Sequence, residues 1–140
     1  MNRLILTLCA PLLVLGCAAT SGNPDPSSLD NLPGTNWVAP EFADPAQPGA
    51  RKVGLQFGAK GQVSGFAGCN GFNGRALIEG NKLRLGPLGS TMMACDGAAS
   101  KRERTFHSKL DATRRAKLED GKLVLLNEDG EVLVRLEAVK

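Results

Sequence analysis

Histidine is nearly absent: His107 is the single one in 140 residues. Zinc sites built on several histidines are therefore excluded. There is no tyrosine and one tryptophan, and aromatic residues make up 4% of the chain. A basic surface interleaved with aromatics, the usual footprint of nucleic-acid binding, cannot be assembled from so few rings. Net charge is also small, at a formal +3. Long apolar runs are missing except for one, Leu4 to Leu15. It is shorter than the roughly 20 residues that span a bilayer. No cluster of metal-ligand residues is visible, so neither a metal nor another cofactor is expected.

That run follows Arg3 and ends in Val14-Leu15-Gly16-Cys17. A basic start, a short apolar stretch and a small residue before the cut are the parts of a secretory signal. The ending resembles the lipobox of bacterial lipoproteins. The resemblance implies cleavage before Cys17, which then carries acyl chains such as palmitate, and residues 1–16 as the signal peptide. Several acyl chains on one residue suffice for stable anchoring. By resemblance to lipoprotein sorting, Ala18 after the acylated cysteine implies the outer membrane, with the protein facing the periplasm. Residues 17–33 are rich in Pro, Ser, Asn, Asp and Gly. They read as the lipidated cysteine and a flexible tether, leaving 34–140 as the globular domain.

Within that domain the period is mostly two. "NWV" (36–38), "KVGLQF" (52–57), "QVSGF" (62–66), "RALIE" and "KLRL" read as short strands. Gly80-Asn81 joins the last two as a tight hairpin. Asp120-Gly121 and Asp129-Gly130 mark two further turns between alternating runs near the C-terminus. "APEFADPAQPGA" (39–50) holds three prolines and reads as a loop. Residues 65–74, four of the ten glycine, read as a glycine-rich loop around Cys69. A helical period appears over 97–118, where Ala99, Arg102, Glu103, Phe106, Leu110, Thr113 and Lys117 share a face. Asp96 or Ser100 would cap it. The expected fold is α+β: a small antiparallel sheet or partly closed barrel of about seven short strands, with one helix.

Three short motifs stand in order: Gly68-Cys69-Asn70-x-Phe72-x-Gly74, then Thr91-Met92-Met93-Ala94-Cys95, then Glu103, Phe106 and Leu110 in one helical stripe. Behind a lipobox, this series resembles the META domain family over about residues 34 to 137, and the region is expected to be a META/HslJ-like domain. The resemblance implies a small antiparallel β structure with a helix, a link to envelope stress and secretion, and no enzymatic activity. A monomer that binds an envelope protein or an apolar small molecule is the expected function. An anchored inhibitor of a lysozyme or protease, using the 39–50 loop, is the alternative.

Cys9 leaves with the signal and Cys17 is acylated, so Cys69 and Cys95 are the disulfide candidate in an oxidising compartment. Two buried free thiols are the other reading. A bond would close a loop of about 26 residues and stabilise by roughly 3–4 kcal/mol. Glu103 has two readings. It pairs with His107 or a lysine on the surface, or it is a buried carboxylate that fixes the helix to backbone amides near Cys69. Met92 and Met93 are read as core, or as the lining of an apolar pocket. From Lys101 to Lys117 the chain holds seven basic and two acidic residues, a balance of +5. On a helix running to Leu118, Lys101, Arg104 and Arg115 would form one solvent face, a docking face for an anionic partner.

Overall fold

The computed structural model describes residues 27–140. The expected signal peptide and the expected acylation site, Cys17, lie outside the described residues. Eight strands form one closed antiparallel barrel in chain order. They are β1 (Asn36–Val38), β2 (Gly54–Phe57), β3 (Gln62–Phe66), β4 (Gly71–Glu79), β5 (Lys82–Ser90), β6 (Arg115–Glu119), β7 (Lys122–Leu126) and β8 (Val132–Ala138). A single helix, α1 (Gly97–Ala112), joins β5 to β6. Closure is made by β1 against β8, with Trp37 opposite Ala138 and Val38 opposite Glu137.

Alternation decides which side chains enter the barrel. Leu55 and Phe57 of β2, Leu83 and Leu85 of β5, Leu123 and Leu125 of β7, and Val134 and Leu136 of β8 are all buried. The two-residue turns Gly80-Asn81 and Asp120-Gly121 place Glu79 opposite Lys82 and Glu119 opposite Lys122. Asp129-Gly130 lies instead in a five-residue loop, closed by Asn127 N–H donating to Glu131 O at 3.0 Å.

The two ends of the barrel are stopped differently. At the hairpin end a 3-10 turn, Leu29–Asn31, inserts Leu29 and Leu32, each 1% exposed. Gly34 N–H then donates to Phe57 O at 2.7 Å. The tether reading of 28–33 is corrected: this stretch belongs to the folded domain. Two leucines three residues apart fall on one side of a 3-10 turn, so a polar-looking segment still delivers an apolar plug. At the other end α1 covers the opening with Phe106 and Leu110, both fully buried.

Two more expectations are corrected. The helix ends at Ala112 and not at Leu118. Thr113 closes it with its hydroxyl on Lys109 O at 2.9 Å and its backbone already extended. Residues 115–118 pair with β7 from Leu126 to Leu123, so where the helical period to 118 overlaps the alternating run that leads into Asp120-Gly121, the run is strand. Ala116 and Leu118 satisfy a period of two as well as the wheel did, and ladder pairing decides. The glycine-rich stretch is mostly strand, and only residues 67–70 connect β3 to β4. Gly65 sits opposite Phe72 in the ladder. A Cβ there would stand 2.5 Å from the Phe72 ring, so glycine lets the ring lie flat across β3.

Candidate functional site

The motif residues converge where the 67–70 connection meets α1. Cys69 and Cys95 are disulfide-bonded, with Cα atoms 6.0 Å apart. Residues 91–96 have no regular structure and run from β5 to the start of α1. Asn70, 5% exposed, holds them. Its side-chain oxygen accepts from Met93 N–H at 2.7 Å and from the Thr91 hydroxyl at 2.8 Å. Its amide nitrogen donates to Met93 O at 3.3 Å. One side-chain amide thus engages both backbone groups of Met93, as a neighbouring strand residue would.

Glu103 holds Asn70 in turn. Its carboxylate accepts from the Asn70 backbone N–H at 2.6 Å and from the Asn70 side-chain amide at 3.2 Å. The reading in which Glu103 fixes the helix to a backbone amide beside Cys69 therefore holds, with Glu103 half-buried and not fully buried, and the His107 pairing does not. A carboxylate accepting two N–H bonds in a part-buried setting makes charge-assisted contacts, stronger than neutral ones. Gly68 has φ +119, and the Arg102 side chain lies over it, 3.3 Å from where a Cβ would stand. Arg102 also pairs with Asp44 at 3.0 Å. Asp96 caps α1 by accepting from Ala99 N–H at 2.8 Å.

The remaining motif residues are apolar struts. Phe106 meets Phe42 edge to face at 5.1 Å and Phe72 at 6.3 Å. Gly74 faces β5 closely, where a Cβ would stand 2.5 Å from Pro87 O. Ala94 is exposed. Met92 and Met93 are 96% and 63% exposed, so neither is core. Nothing in the local pattern signals this, because an apolar pair is ordinarily buried.

The docking face on α1 also needs correction. Lys101 and Arg104 are exposed on the helix, but Arg115 opens β6. The three cannot share a helix face, because the helix stops three residues before Arg115. Nearby, the Lys117 ammonium donates to Glu119 at 2.7 Å and holds that carboxyl below its ordinary 4.5.

Several contacts had no local signal in the sequence. Phe42 folds out of the proline-rich loop onto Phe106, and Lys109 donates to Leu133 O at 2.5 Å. A cleft of about 410 Å³ lies between this loop and the motif end, lined by Asp44, Arg51, Phe66, Cys95 and Arg102 among others. Arg51 stacks over Phe66 at 4.6 Å. Ser90 Oγ and His107 Nε2 stand 3.2 Å apart, within reach of a nucleophile and its base. Among the described residues no carboxylate bonds the other ring nitrogen to orient it. Both thiols of the motif are tied up in the disulfide.

A barrel closed in chain order, capped by one helix and locked by a cysteine–asparagine–glutamate constellation, defines a class of small β domain. The chain belongs to the META domain family, whose model matches residues 30–140. A solved NMR structure of a protein from Burkholderia xenovorans is similar in fold, with a TM-score of 0.65 and 22% identity. That match covers 89% of this chain and 97% of the other. A second NMR structure matches with a TM-score of 0.58 and 20% identity, over 77% of this chain and 92% of the other. No curated protein sequence matches the chain.

Proposed function

We propose that this META domain protein is an envelope lipoprotein, acylated at Cys17 and anchored in the outer membrane facing the periplasm. There it acts by binding, in an envelope stress role, and not by catalysis. One observation carries the binding reading. The polar motif residues bond to one another and hold a loop whose two methionines stand in solvent. Flexible, polarisable methionine suits adaptable binding surfaces. Met92, 96% exposed, protrudes from the loop, so the partner is an envelope protein with an apolar hollow.

The test uses soluble residues 18–140 with a photo-crosslinkable methionine analogue, added to envelope extract. One discrete crosslinked protein is expected, absent with Met92→Ser/Met93→Ser. Equal capture by that variant would sink the reading. Cys17→Ala should block both processing and palmitate incorporation, and labelled Cys17→Ala would remove the anchor.

An anchored inhibitor of a lysozyme or protease is the second reading. It rests on residues 45–52, all exposed and pinned at each end by buried Phe42 and Val53. It requires that the 18–140 fragment slow such an enzyme, and that deletion within 45–50 relieve the effect.

A further inference from the structure

The outer wall formed by β4, β5 and β6 carries a cluster outside the motif end. Leu77 stands opposite Arg84, Glu79 opposite Lys82, and Lys82 opposite Arg115. Lys82, Arg84, Arg114 and Arg115 line a shallow cleft of about 390 Å³, together with Leu77, Glu79 and Glu128. Among the described residues none of these four cations is in an ion pair; the ion pairs there use Arg102, Lys109, Lys117 and Lys122 instead. Arg114 is held by backbone carbonyls, donating to Asp111 O at 2.6 Å and Thr113 O at 2.8 Å. Those bonds orient its charge without neutralising it. Beside these cations Leu77 is 64% exposed. Unpaired cations around a bare leucine match the boundary between lipid headgroups and acyl chains.

The position of the chain entry points the same way. Ser27 borders a shallow depression with Trp37, Leu118, Asp120 and Gly121. Leu118 is three residues along β6 from Arg115, about 10 Å at strand rise. The ten residues 17–26 that precede Ser27 reach at most about 36 Å. An acylated Cys17 therefore holds the domain within reach of the bilayer, by a chain that enters at this end of the wall. The methionine loop and the start of α1 lie at the opposite end of β4, roughly 25 Å away over its nine residues.

We infer that the β4–β5–β6 wall is a membrane-docking face, laying Lys82, Arg84, Arg114 and Arg115 on the anionic headgroups of the tethering bilayer. It rests on the acylation of Cys17 proposed above. Docking turns the motif end away from the membrane and toward the periplasm.

Flotation of residues 18–140, which contain every buried core residue described, separates docking from acylation. Vesicles of equal parts phosphatidylglycerol and phosphatidylcholine should carry the protein up, and phosphatidylcholine alone should not. Binding should fall steeply with salt, since exposed charges are screened over about 8 Å at physiological ionic strength. Lys82→Gln/Arg84→Gln/Arg115→Gln should lower the partition coefficient by about fivefold per charge, on the order of a hundredfold in all. Lys101→Gln/Arg104→Gln on α1 should leave it unchanged. Wild-type binding by the wall variant, loss in the α1 variant, or no binding to anionic vesicles would each overturn the docking face. Palmitate labelling of the full chain keeps the two readings apart. A labelled protein whose soluble form does not float keeps the anchor and loses the docking face. An unlabelled Cys17 removes the anchor, and with it the bilayer assigned to this wall.

Discussion

The two ends of the barrel solve one problem by different chemistry. A closed sheet of this size leaves two mouths through which water would reach the core. At the hairpin end the stopper is apolar and local: Leu29 and Leu32 on one 3-10 turn, joined directly to β1. At the motif end the stopper is α1, arriving from far along the chain. It is seated by Glu103 on Asn70, by the Cys69–Cys95 bond, and by Phe106 against Phe42 and Phe72. An apolar plug needs volume alone. A helix that must also present a loop needs direction, and hydrogen bonds and a covalent bond supply it.

The comparison breaks most severely at the plug. Leu29→Ala/Leu32→Ala should cost about 4–10 kcal/mol, since each buried leucine truncation costs roughly 2–5. That rivals the whole stability of a small domain, about 5–15 kcal/mol. Urea unfolding followed by far-UV circular dichroism measures it. A fragment starting at Gly34 that matched one starting at Ala18 in stability would return residues 28–33 to the tether.

At the motif end, Cys69→Ser/Cys95→Ser should cost about 3.5 kcal/mol from the closed loop of 26 residues. The loss should be uneven. Hydrogen exchange should speed up first in residues 91–96 and the first turn of α1, while β7 and β8 stay protected. Uniform acceleration across the barrel would show that the bond serves the whole fold.

The smallest change sharpens the contrast. Glu103→Gln keeps the shape but removes the charge and turns one acceptor into a donor facing an N–H. A loss of about 1–3 kcal/mol is expected. Its mark is a shift of the Asn70 and Met93 amide resonances with the core methyl resonances unmoved. Unmoved Met93 resonances would detach the loop from Glu103.

Much of this architecture was legible because it is local. Leu123, Leu125, Val134 and Leu136 alternate inward, and Gly80-Asn81 and Asp120-Gly121 turn where those residue types allow. Sheet closure was not legible, because Trp37 meets Ala138 across nearly the whole chain and no local pattern encodes that pairing. The strand at 115–119 was hidden by ambiguity: Ala116 and Leu118 suit both periods, and only β7 decides between them. At the site, the cysteines and the stripe of Glu103, Phe106 and Leu110 stood out. The partner of Glu103 lies 33 residues away, so the sequence left two readings open. The exposure of Met92 and Met93 follows from the grip of Asn70 on the backbone, which holds the chain and leaves the side chains outside.

Because β1 and β8 are neighbours, the strand order is a ring with no intrinsic first member. Val139 N–H donates to Asn36 O at 2.9 Å, so the domain's two termini leave the same place, beside the apolar plug. A fluorescent protein fused after Lys140 would emerge beside the plug and leave the methionine loop clear. The same adjacency makes the domain a candidate for circular permutation, with old ends joined by a short linker and new ends cut at an exposed hairpin turn.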